Sequence, residues 1–176
     1  MEGLFELETL PGLKSIPPCD ETGATFEENA IQKALYYSKH CEGQLFVDDS
    51  GLEVDALGGT PGVYSARFAG PDATDEANNR LLLEQMEGIA NRTSRFVCVV
   101  ALAAGGKLIG TFRGAVEGQL LDVARGGNGF GYDPLFFYPP FGCTFGEVPL
   151  ERKMEVSHRS QALKAMAAQY SPSEIR

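Results

Sequence analysis

Two adjacent carboxylates, Asp48 and Asp49, follow the apolar run Leu45-Phe46-Val47 and lead into Ser50-Gly51. Such a run, bounded by polar and glycine residues, reads as a buried strand. Strand polarity then predicts both acids at its carboxyl end, where open α/β sheets form ligand crevices. Neighbouring carboxylates repel each other and resist desolvation. A hard divalent cation removes that repulsion and prefers oxygen ligands. The alternative is a solvated Asp-Asp-Ser-Gly turn made of common turn formers.

Three other places carry candidate chemistry. Gly126-Gly127-Asn128-Gly129-Phe130-Gly131-Tyr132-Asp133-Pro134 is too glycine-dense for an ordinary strand connection. It has neither the glycine spacing of a dinucleotide fingerprint nor the Gly-Lys-Ser/Thr of a Walker loop. Its glycines let backbone amides approach a ligand, and Phe130 and Tyr132 offer flat faces. An aromatic beside Asp133 suits a purine, with the ring stacking and the carboxylate accepting a base N–H. The alternative is a flexible loop with aromatics tucked into the core. In Ser157-His158-Arg159, a capping Ser157 puts two cationic residues at a helix start, where cations are disfavoured by roughly 0.3–1 kcal/mol. With the helix amides, and with Lys153 upstream, they would make an anion or carbonyl-oxygen site; the alternative is a basic helix end solvated or paired with acids such as Glu155. Asn29 and Lys33 lie four apart on one helix face, so Lys33 can reach a phosphate; the alternative is a solvated lysine. Glu28 has a structural role available as a capping residue, and Glu21 lies just before that helix.

These residues need elements to hold them. Thr25 and Glu28 have capping-box spacing, predicting a helix from Thr25 to about His40. Leu4–Glu8 alternates like a strand, and Leu52–Leu57 reads as a short extended piece. A helix is expected over Thr74–Glu87, stopped by Gly88. Strands follow over about Arg95–Ala103 and Lys107–Leu120, joined at Gly105-Gly106 as a hairpin. Gly110, Gly114 and Gly118 mark bends or close backbone approach in the second. Leu135–Tyr138 is a further strand, and His158–Gln169 a helix capped by Ser157. Alternating strands and helices with one hairpin predict an α/β fold with a mixed sheet flanked by helices.

Composition bounds the reading. The 176 residues form a single domain, and a net charge of −9 opposes binding to a nucleic-acid polymer. No apolar stretch suffices to span a membrane and no signal pattern opens the chain, which predicts a cytoplasmic protein. Cys19, Cys41, Cys98 and Cys143 are scattered and read as reduced thiols.

Several segments in register resemble one family. Glu21–Ala30, Asp48–Leu52, Leu57–Arg67, Gly129–Pro134 and Ser157–Arg159 are similar, in order and spacing, to the inosine/xanthosine triphosphate pyrophosphatases. The resemblance implies hydrolysis of deaminated purine nucleoside triphosphates (ITP, dITP, XTP) to monophosphate and pyrophosphate with Mg²⁺. It implies a homodimer of a two-lobed, elongated mixed sheet with a central cleft. By the same resemblance Asp49 is the proton acceptor and a Mg²⁺ ligand, helped by Asp48 and by Glu21 or Glu28. Ser50 and Lys33 contact substrate near its phosphates, and Phe130, Gly131, Tyr132, Asp133, Lys153, His158 and Arg159 hold the base.

The family's opening strand and Thr/Ser-x-Asn-x-x-Lys turn, which grip the triphosphate, have no match before Glu21. One N-terminal βα unit is therefore expected to be missing. That leaves an alternative: a purine-nucleotide-binding protein weakened in catalysis by loss of its phosphate grip.

Overall fold

Val97, Cys98, Val99, Val100, Ala101, Leu102 and Ala103 are all buried, so the strand that carries them must be covered on both faces. In the computed structural model, which describes residues 8–169, this strand is β2, Thr93–Ala104. It lies between β1, Gln44–Val54, and β3, Lys107–Leu120. Beyond β3 come the short strands β4, Phe136–Tyr138, and β5, Cys143–Thr144. Every pairing among the described strands is antiparallel, where a mixed sheet was expected. The expected strand over Leu4–Glu8 lies outside the described residues except for Glu8.

Alternation along β2 sorts its side chains between two helices. Val97, Val99, Ala101 and Ala103 pack with Phe26, Ala30 and Ala34 of α1, Phe26–Tyr37. Cys98, Val100 and Leu102 pack on the other face with Ala162 and Met166 of α4, His158–Gln169. A third cluster fills the far end of the sheet. There Leu52, Val54, Phe96, Phe136 and Phe145 meet Leu82 of α2, Asp75–Gln85. Helices thus flank the sheet, and the core divides between two ends of the molecule.

The helix starts follow local chemistry. Thr25 Oγ1 accepts from the Glu28 amide at 3.1 Å, and Glu28 reaches back to the amide of Ala24, one residue before the cap. α1 stops at Tyr37 and ends in a 3₁₀ turn, Ser38–His40. Ser157 caps α4, its Oγ accepting from the Ser160 amide at 3.2 Å. A short helix absent from the sequence expectations, α3 over Leu150–Val156, follows Pro149, which is suited to a helix start.

β1 corrects the placement of the two acids. It runs unbroken through Asp48-Asp49-Ser50-Gly51, with Asp48 opposite Val100 and Asp49 opposite Val99. The acids therefore sit in mid-strand, and the carboxyl-end rule for parallel sheets does not apply. Pairing along β2 outweighs the turn preference of Asp, Ser and Gly. The supposed extended piece at Leu52 is the end of this strand, after which Asp55–Leu57 turns as a 3₁₀ helix.

Gly114 shows why the site needs a glycine in β3. A Cβ there would lie 2.1 Å from the His158 carbonyl oxygen and 2.6 Å from the Ala162 amide. The start of α4 thus rests on the β3 backbone, which sets the position of His158 and Arg159.

Candidate active site

Because successive strand residues face opposite ways, Asp48 and Asp49 do not share a site by direct repulsion. Asp49 points to α1. Lys33 Nζ donates to Asp49 Oδ1 at 2.8 Å, and Asn29 Nδ2 donates to Oδ2 at 3.3 Å. The same ammonium lies 3.4 Å from Glu21 Oε1, so two carboxylates already share one cation. Burial pushes the Asp49 carboxyl above its ordinary value, outweighing the opposite pull of Lys33 and Asn29, and the Glu21 charge adds to the rise. Burial also opposes charge on Lys33, but Asp49 and Glu21 overcome it and keep the ammonium charged.

Asp48 points to α4. Its Oδ2 accepts from Arg159 Nε at 3.2 Å and Nη2 at 3.0 Å, and Arg159 Nη2 also donates to Ser50 Oγ at 3.2 Å. The Cys98 thiol donates to the same Asp48 oxygen across 3.6 Å. Burial and then the Asp48 charge push that thiol up to about 12, so it stays protonated.

The glycine-rich loop closes the arrangement. Lys153, buried, donates to Asp133 Oδ2 at 2.5 Å, and the Phe130 amide donates to that oxygen at 3.0 Å. Lys153 Nζ lies 4.8 Å from the Phe130 ring centroid, and the Arg159 guanidinium 5.9 Å from it. Phe130 is 60% exposed, whereas Tyr132 is 4% and Asp133 1% exposed. Asp133 Oδ2 is engaged by Lys153 and the loop, and the Tyr132 hydroxyl donates to the Ser65 carbonyl at 2.8 Å. Phe130 alone presents an open aromatic face, with the Gly131 backbone beside it. Burial excludes charge on the Tyr132 phenol and raises its pKa.

His158 is buried and stacks on Phe96 at 4.9 Å between centroids, with Nδ1 lacking a partner. Burial, followed by the charges of Arg159 and Lys153, lowers its pKa to about 3. It is thus a neutral imidazole, not the cation expected at a helix start. Lys153 and Arg159 pair with Asp133 and Asp48, and neither pairs with Glu155.

Of the acids considered for a metal, Asp49 and Glu21 converge on one cation. Glu28 is engaged with the Ala24 amide at 2.6 Å, and Asp48 lies on the other face of β1. Among the described residues no cluster of three or more His, Cys, Asp and Glu side chains could hold a metal by itself. Two carboxylates that need further oxygen ligands are the donor set that Mg²⁺ takes when phosphates and waters complete its shell.

The model of the Ham1 family covers residues 2–169. The chain belongs to the Ham1 family. A relative from Exiguobacterium sp. (strain ATCC BAA-1283 / AT1b), named dITP/XTP pyrophosphatase, is 51% identical over 168 residues, 96% of this chain and 86% of the relative. One from Syntrophobacter fumaroxidans with the same name is 48% identical, over 94% of this chain and 71% of the relative. Among solved structures, the Staphylococcus aureus Ham1 protein superposes with a TM-score of 0.84 at 41% identity, over 89% of this chain and 82% of that one.

Within this Ham1 chain, sequence reasoning left two contributors without a site role. Asn29 was noted only as a neighbour of Lys33 on one helix face; it is fully buried, and the Gly23 amide donates to its Oδ1 at 2.8 Å. Its burial follows from the spacing of Phe26, Ala30 and Ala34, which was available as a signal. Ser65 links the loop to β1, its carbonyl accepting from Tyr132 while its Oγ accepts from the Leu52 amide at 2.9 Å. Nothing in its local sequence announces that link.

Proposed function

We propose that this protein hydrolyses deaminated purine nucleoside triphosphates (ITP, dITP and XTP) to the monophosphate and pyrophosphate, with Mg²⁺. The observation that carries this reading is Asp49: a half-buried carboxylate of raised basicity, beside a charged lysine and a second acid. The family membership and the names of its relatives support the substrate class.

Asp49 and Glu21 would hold the metal, which when bound supplies neutralising charge and polarises the phosphates. Lys33 orients the phosphates as a compact point charge. Asp49, more basic than an ordinary carboxylate, accepts a proton from water and aims that water at the phosphorus. Phe130 stacks on the base, while Arg159 and the neutral His158 bring donors to the 6-keto oxygen. Adenine carries an amino donor at that position and leaves those groups unpaired. The same reading carries a homodimer in the cytoplasm, and light scattering of the purified protein tests the dimer.

The deciding experiment is pyrophosphate release from ITP and ATP, with Mg²⁺ and with excess chelator. Release from ITP is expected to exceed that from ATP by about 100-fold or more and to vanish with chelator. Equal rates on both nucleotides would sink the reading.

A further inference from the structure

The loop bearing Phe130 is tied to α2, an element with no part in the chemistry above. The Gly131 amide donates to Asp75 Oδ2 at 2.5 Å, and the Gly131 carbonyl accepts from Asn79 Nδ2 at 2.9 Å. Asp75 is the first residue of α2 and Asn79 stands one turn later on the same face. One helix thus grips both polar backbone groups of one glycine, whose φ of 62° lies in the left-handed region.

Neither side chain is needed to cap α2. Thr74 already caps α2, accepting from the Ala77 amide at 3.2 Å, so Asp75 is not needed as the cap. The Asn79 Oδ1 is buried without a partner, which leaves the Gly131 bond as the contact that orients this amide. Phe130 immediately precedes Gly131, and its ring is mostly exposed. Beyond the cations of Lys153 and Arg159 that lie over it, little packing fixes the ring, and the backbone on either side contributes to its pose. Asp133 holds the Phe130 amide on one side; Asp75 and Asn79 hold Gly131 on the other.

We propose that Asp75 and Asn79 are positioning residues that set the pose of Phe130 and thereby the enzyme's affinity for the purine base. The inference rests on the reading of Phe130 as the base platform. Asp75→Ala removes the acceptor, while Asp75→Asn keeps a carbonyl oxygen there; both lose the same negative charge at the helix start. The difference between them isolates the bond to Gly131 from any helix-dipole effect.

With ITP, Asp75→Ala is expected to raise KM about tenfold with kcat within about twofold, and Asp75→Asn to restore KM to within about twofold of wild type. Asn79→Ala is expected to raise KM about threefold, and provides the test if Asp75→Ala fails to fold. A second readout needs no turnover. The chain has no tryptophan, so Phe130→Trp introduces a single fluorophore on the loop. Acrylamide quenching of that tryptophan should rise at least about twofold when Asp75→Ala is added, and not when Asp75→Asn is added. Equal behaviour of the two Asp75 variants, or no change with either Asp75→Ala or Asn79→Ala, overturns the proposal. If wild type fails to hydrolyse ITP, the functional reading falls, and the quenching result alone then decides whether α2 holds the loop.

Discussion

On one face of β1, Asp49 meets a lysine and an asparagine from α1, and its side chain is 12% exposed; on the other, Asp48 meets an arginine from α4 and is 31% exposed. The two residues are chemically identical and covalently adjacent, yet the pleat gives them different surroundings. Burial raises the proton affinity of Asp49. Asp48 accepts two bonds from one guanidinium, a geometry that fixes position. Adjacency in sequence therefore indicated a shared site, whereas the strand divides the pair between two faces; on the function proposed above, one is the reactive group and the other an anchor. On the Asp48 face, Arg159 reaches Asp48, Ser50 and the neighbourhood of Phe130 together.

The widest separation between the faces is expected in turnover. Asp49→Asn should lower kcat for ITP by about 10³-fold while leaving the fold intact, since a general base typically contributes between about 10² and 10⁴. Asp48→Asn should cost about tenfold, chiefly in KM. Steady-state kinetics with circular dichroism on both variants decide it. Equal losses in kcat would erase the distinction between the two acids.

Next in size is a disturbance confined to the anchor face. Gly114→Ala sets a methyl group against the His158 carbonyl, and should destabilise the protein by about 2–3 kcal/mol, read from urea unfolding. Because α1 packs on the opposite face, any Mg²⁺ affinity that depends on Asp49 and Glu21 should move less than the KM for ITP.

Titration separates the faces by sign. The folded pKa of His158 is lowered from 6.5 to about 3, so below pH 6.5 the unfolded chain takes up a proton that the folded one refuses. Stability then falls as the pH drops from about 6.5 towards 3, by about 2 kcal/mol at pH 5 for this group alone. Asp49 has the opposite slope: its pKa is raised on folding, so its contribution falls as the pH rises from 3.8 through the folded value. Urea unfolding between pH 5 and 7 should lose its slope at least partly in His158→Gln, and proton NMR should show His158 untitrated from pH 5 to 8. An imidazole titrating near pH 6.5 would remove the explanation.

Much of this could be read from sequence, for reasons that also mark its limits. Thr25, Glu28 and Ser157 announce helix starts because capping is local, and Gly105-Gly106 announces a hairpin because both φ angles are positive there. The division of Asp48 from Asp49 was hidden because Asp-Asp-Ser-Gly also spells a turn, and only pairing with β2 keeps it extended. The bond from Lys153 to Asp133 spans 20 positions. Asp75 and Asn79 stand 56 and 52 positions from Gly131, and no local pattern joins them. Local hydrogen bonding is legible in composition and spacing; contacts across the fold depend on topology.

A smaller contrast lies in Arg159→Ala, which should raise the KM for ITP about tenfold while changing kcat less than Asp49→Asn does. Kinetics on a short substrate series would show whether the loss falls equally on ITP and XTP.

The smallest expected effect is at Cys98, and it tests whether Asp48 is an anchor set by Arg159 alone. The thiol is fully buried and donates to Asp48 across 3.6 Å, but a thiol is a weak donor. Cys98→Ala removes that bond and little volume, and Asp48 keeps both guanidinium bonds. Stability should change by less than about 1.5 kcal/mol and kcat/KM by less than about twofold. Asn29→Ala is the matched change on the other face. It strips Asp49 of an amide donor and leaves the Gly23 amide without its acceptor, so it should cost about 1–3 kcal/mol and lower kcat several-fold. If Cys98→Ala proves the more damaging of the two, Asp48 depends on its thiol, and the anchor face of β1 is more finely tuned than the reactive one.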